Sequence, residues 1–108
     1  MTQEQSCAVS ELEGKALDYW MYRHAAQQLG RKISEQEFEQ GYEQGLYQFS
    51  VDKALLADLM ERYDIRMQML GREWLASTET ISQFGIDPII AACRLVVSQA
   101  FGERPKRS

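Results

Sequence analysis

The sequence predicts an α+β domain, mostly helical with one β-hairpin, on three observations. Apolar residues recur at three- and four-residue spacing over four stretches. Between Ile65 and Thr78 the period falls to two. Serine, aspartate, proline and glycine stand where helices of those spans have to begin and end.

The first helix is expected over 11–29. Leu17, Trp20, Met21, His24, Ala25 and Gln28 make one face, with Glu11, Lys15, Asp18, Tyr22 and Arg23 on the other. Ser10 with Glu13 has the spacing of a capping box, and Gly30 is a suitable stop. A second helix is expected over 35–44, opened by the capping box of Ser34 and Glu37. Its sequence carries a four-residue echo, EFEQ, GYEQ, GLYQ, which stacks Phe38, Tyr42 and Leu46 on one stripe. Gly41 and Gly45 each cost about 1 kcal/mol inside a helix, so a break after the second turn is expected. Their spacing also suits a close backbone approach.

Ser50 or Asp52 caps the third helix, 51–63, whose apolar stripe is Leu55, Leu56, Leu59, Met60 and Tyr63. The hairpin follows over 65–78, with Ile65, Met67 and Met69 alternating against Arg66 and Gln68. Gly71-Arg72 forms the turn; Trp74, Ala76 and Thr78 share a face opposite Leu75. A lone hairpin is barely stable in water, so it needs helices or a third strand against it. No third strand stands out, and 79–86 reads as a loop. The fourth helix, 88–101, has Asp87 at its N-cap and Pro88 at the first helical position. Ile89, Ile90, Cys93, Val96, Val97, Ala100 and Phe101 leave little of its circumference polar, which predicts burial. The domain therefore spans 11–102, between a flexible leader, 1–10, and a flexible charged tail, 103–108.

Several function classes are disfavoured. A net charge of −4 opposes passive adhesion to nucleic acid or anionic lipid. No apolar run reaches the roughly 20 residues needed to span a bilayer, and Met1–Ser10 does not read as a signal peptide. Cys7 and Cys93 suggest no disulfide framework, so a cytoplasmic chain with reduced thiols is expected. One histidine, His24, and isolated cysteines form no metal-ligand spacing, and no phosphate-cradling glycine loop is present. Ser77 or Ser82 with His24 lacks a nucleophile elbow, so no catalytic set and no cofactor are expected.

Two features remain for binding or for structure. Asp18-Tyr19-Trp20 reads either as a packed tryptophan with its neighbours at the rim or as an aromatic hot spot for a partner protein. Arg94, the single charge midway along an apolar helix, reads either as a solvent-edge residue with Ser98 one turn on or, the favoured reading, as the partner of a carboxylate such as Asp18 that ties the first helix to the last.

Two runs also resemble a known family. LEGKALDYWMYRHA (Leu12–Ala25) and GIDPIIAACRLVVSQAFGE (Gly85–Glu103) resemble the small phage and prophage proteins of the NinX-like family, whose function is unknown. Ser50–Thr78, including LMERYDI, is a looser match. VDKALLADLM departs from the glycine- and tryptophan-containing loop usual in that family, and residues 30–48 fall outside the resemblance. The resemblance implies a phage or prophage origin and an accessory role inside a bacterial host; it carries over no catalytic residues. The expected function is non-catalytic binding to a host or phage protein, with Tyr19, Trp20, Phe38, Tyr42 and Leu46 as candidate contacts and homo-oligomerisation compatible with the aromatic content. The alternative is a nucleotide-like ligand held by Tyr19, Trp20, Tyr42 and Tyr47.

Overall fold

Gly14, at φ +55, turns the chain into the first helix of a computed structural model that describes residues 8–106. Glu13 precedes it in extended conformation, and its side chain caps nothing. The helix α1 runs Gly14–Gln28, later than the Ser10 capping box predicted. The reason is tertiary. Val9 and Leu12 are buried, Ser10 lies in a 3-10 turn over Val9–Glu11, and the Val9 N–H donates to the Glu103 carbonyl at 2.8 Å. With Pro105 also buried, residues 8–10 and 103–105 are parts of the fold, which corrects the expected leader and tail at these positions; Met1–Cys7 and 107–108 lie outside the described residues.

The helix α2 (Glu35–Glu43) opens as predicted, with Ser34 Oγ accepting from the Glu37 N–H at 3.1 Å. The return half of the box does not form. Tyr22 instead accepts from the Ser34 N–H at 3.3 Å, while Glu37 pairs with Arg31 at 3.1 Å. The helix then stops in a Schellman motif: Gly45 N–H bonds to Tyr42 O and Leu46 N–H to Gly41 O, with Gly45 at φ +87. The expected stripe is therefore cut, because Leu46 lies past the helix. Gly41 is used for close approach, but by a side chain. A Cβ there would come within 2.4 Å of Cε2 of Tyr47, whose ring lies on the helix.

A 3-10 turn over Phe49–Val51 leads to α3 (Lys53–Tyr63), capped by Asp52 Oδ1 on the Ala54 N–H at 3.1 Å. Leu59 is buried and Leu55, Leu56, Met60 and Tyr63 pack on the core, the stripe the periodicity predicts. Asp64 ends the helix at φ 55, one of the few side chains that tolerate that region.

The hairpin is present as β1 (Arg66–Leu70) and β2 (Glu73–Ser77), turning at Gly71 with φ +66. The segment expected to be loop supplies the missing support. Ser82–Gly85 is β3, antiparallel to β2, in a three-stranded sheet of order β1-β2-β3. Its pattern is inverted: Gln83 faces inward and is buried, while Phe84 faces out. That inversion hides the strand from a hydrophobic-alternation reading.

The last helix, α4 (Pro88–Phe101), keeps its predicted bounds and cap, Asp87 Oδ1 accepting from the Ile90 N–H at 3.2 Å. It crosses the inner face of β2 and β3 and also packs on α1 and α3. Ala91, Ala92, Cys93, Leu95 and Val97 have no exposed surface. The fold is thus α+β, with α4 as the centre of the core.

Candidate functional site

Burial overturns most of the sequence-predicted contacts. Leu17 through Tyr22 are all buried, so α1 has no polar face at its middle, and Asp18 and Tyr22, expected outside, are inside. Tyr19 and Trp20 are 1% and 5% exposed, which leaves them no area to offer a partner. Tyr19 meets Trp20 and Phe38 edge-on at 5.5 and 5.3 Å, and Phe38 in turn contacts Tyr22, Tyr42 and Tyr47. This is a packed aromatic cluster that fastens α2 to α1, with ring geometries that add modestly to burial. Phe38 packs against Tyr19, Tyr42 and Tyr47, whereas Trp20 packs against Tyr19 and Phe101, so the structure does not gather the four aromatic residues expected to hold a ligand around one shared contact. Of the five candidate contacts only Leu46 is well exposed.

The proposed Asp18–Arg94 pair is also replaced. Asp18, 1% exposed, accepts the Ser50 N–H at 2.7 Å and the Tyr42 hydroxyl at 3.0 Å. Burial raises the Tyr42 phenol above its usual range, and the bond to Asp18 adds to the shift. Arg94 Nε donates to the Leu12 carbonyl at 2.8 Å and Nη1 to the Phe84 carbonyl at 2.7 Å. Asp18 satisfies the Ser50 N–H and the Tyr42 hydroxyl, and Arg94 satisfies the Leu12 carbonyl and the edge carbonyl of Phe84, so neither needs the other. Asp18 ties α1 to α2 and the 49–51 turn; Arg94 ties α4 to the chain start and to β3.

Among the described residues, Cys93 and His24 are two further reactive side chains. Burial pushes the Cys93 thiol far up, reinforced by Asp18, Asp87 and Asp52, so the thiolate is suppressed. His24 Nε2 lies 2.6 Å from the Tyr63 hydroxyl, and its buried Nδ1 has no hydrogen-bond partner among the described residues. Burial lowers its pKa from the usual 6.5, helped by the Arg62 charge. The unfolded chain therefore binds a proton near pH 6.5 that the folded chain refuses. Stability from this group is present above that pH and is lost as pH falls through the folded value. Comparing urea midpoints at about pH 7.5 and about pH 5.5, we expect a smaller drop in His24→Gln than in the parent, and equal drops would refute the assignment. Among the described residues no group of three or more histidine, cysteine or carboxylate side chains suits a metal ion, and no helix is long and apolar enough to cross a membrane.

Among the described residues, exposed apolar side chains occur at Leu29, at Leu46 and Val51, and on the outer face of the sheet. Register puts Gln68, Leu75 and Phe84 in one row and Leu70 with Glu73 in the next, all facing away from α4. Phe84 is 44% exposed, Leu70 42% and Ile86, continuing from β3, 69%. The inner row, Met67, Ala76 and Gln83, lies beneath α4. Sequence reasoning missed this face because it depends on β3, whose one clue was the odd pairing of a central Phe84 with a polar Gln83. No family model, characterised protein or solved structure matches the chain.

Proposed function

We propose that the chain is a small phage- or prophage-encoded accessory protein that acts in the bacterial cytoplasm by binding another protein, of host or phage, without catalysis. The observation that carries this reading is the group of exposed apolar side chains Leu70, Phe84 and Ile86 on the outer side of the sheet, with half-buried Leu75 in the row of Phe84, on a domain with ample core elsewhere. Contiguous exposed apolar residues cost solubility and mark interaction surfaces, and an exposed phenylalanine is an efficient anchor. The resemblance of Leu12–Ala25 and Gly85–Glu103 to phage proteins supports the setting.

The test is a photo-crosslinking amino acid in place of Phe84, with a second variant carrying it at the exposed Glu61 of α3. In host cells, illumination should yield a discrete adduct from position 84 that position 61 does not give. Identical products from both positions, or none from 84, would remove the basis for this reading.

A further inference from the structure

The sheet has two edges, and among the described residues only the β3 edge is met by another group. In a hairpin with a two-residue turn the flanking residues exchange both backbone bonds, and the pattern alternates from there. Leu70 faces Glu73 across Gly71-Arg72, Gln68 faces Leu75, and Arg66 faces Ser77. Their N–H and C=O groups point at β2, so those of Met67 and Met69 point out of the sheet. The same alternation, carried through Leu75, aims the Phe84 carbonyl out of the β3 edge. There Arg94 meets it at 2.7 Å. Among the described residues, no hydrogen bond outside the β1–β2 ladder reaches Met67 or Met69. β1 reads Arg-Met-Gln-Met-Leu and pairs without a bulge; it lacks the proline, lysine or bulge that usually blunts such an edge.

We propose that β1 pairs with β1 of a second copy, antiparallel and two-fold about Gln68, joining two three-stranded sheets into one. This register makes Met67 and Met69 of the second copy a hydrogen-bonded pair, twice over, so every outward backbone group finds a partner. Their side chains share the inner face, where Met69 is 56% exposed although it points toward the α4 side. Methionines from two copies fill such a seam adaptably. On the outer face Gln68 meets its own symmetry mate, and side-chain amides hydrogen-bond to one another.

Charge selects the second copy and the orientation. Arg66 is the one charge on β1. A parallel pairing would set it against itself. The antiparallel register sets it opposite Leu70 of the second copy, whose neighbour in the same row is Glu73. Arg66 and Glu73 of different copies thus flank Leu70 on one face, twice by symmetry, with opposite signs near and like signs apart. The contact uses the β1 edge, while the partner reading rests on Phe84 and Ile86; Leu70 is the one residue the two share, and Phe84 lies two strands away from the β1 edge.

Sedimentation equilibrium of the whole chain over a concentration series tests it. A reversible dimer is expected. Met69→Pro removes one outward N–H without breaking the ladder to β2, and Met69→Lys puts a lysine in the seam; both should yield monomer with folding retained by circular dichroism. If Met69→Pro does not fold, Met69→Lys carries the measurement. Arg66→Glu should weaken the dimer roughly tenfold, and Arg66→Glu with Glu73→Arg should restore it. A parent that stays monomeric at every concentration overturns the proposal, as does a dimer indifferent to Met69→Lys or a double variant without rescue. A monomer that still crosslinks at position 84 would overturn this contact and leave the binding role standing.

Discussion

Gly85→Ala should destabilise the protein by about 3 kcal/mol, among the larger effects of adding a single methyl group. The backbone at Gly85 has no positive φ, so conformational freedom is not the reason. Space is. A Cβ at this position would lie 2.5 Å from the amide nitrogen of Ala91, 2.9 Å from its Cα and 3.1 Å from the Asp87 carbonyl oxygen. All three are backbone atoms of the first turn of α4 and its cap, so no rotamer change relieves the contact. Either α4 lifts off the sheet, loosening Ala76, Ala91 and Ala92 together, or β3 shifts and strains its pairing with β2. Urea unfolding measures the loss. Ala91→Gly should not rescue it, since the clash is with main chain and not with the Ala91 methyl. A loss below about 1 kcal/mol, or rescue by Ala91→Gly, would show that the helix does not sit this close to the strand.

Asp18→Ala should cost a similar amount, about 3 kcal/mol. Removing the carboxylate strands the buried Ser50 N–H and takes the acceptor from the half-buried Tyr42 hydroxyl. Tyr42→Phe should cost less, about 1 kcal/mol, because it removes one donor and leaves Asp18 held by Ser50. The double variant should lose less than the sum, since the bond lost in each single change is the same one. Chemical denaturation of the four proteins gives the coupling. Strict additivity would mean that Asp18 and Tyr42 do not share a hydrogen bond in solution.

The two variants separate what could be read along the chain from what could not. Caps and stripes are local properties, and Ser34, Asp52, Asp87 with Pro88, and the Leu55–Tyr63 stripe all act as their spacing predicts. Helix starts failed where a distant segment competed: burying Val9 and Leu12 against the chain end moved the opening of α1 from Ser10 to Gly14. Site residues failed for a related cause. An aspartate and a tyrosine between apolar residues look like the outside of a helix, yet Asp18 and Tyr22 are inside because other segments bring them backbone partners. No periodicity carries that information.

By itself the sequence determined the helical spans apart from the start of α1, the hairpin with its turn, the caps Ser34 and Asp87, and the buried character of α4, all set by propensity, capping chemistry and hydrophobic period within a dozen or so residues. The tertiary structure decided the third strand, the separate partners of Asp18 and Arg94, and which aromatic side chains remain exposed. Those depend on which open backbone groups and which surfaces meet across the fold. Gln83 and Phe84 take the faces opposite to those their polarity suggests because pairing with β2, together with the fit of Gly85 under Ala91, fixes the register of the strand.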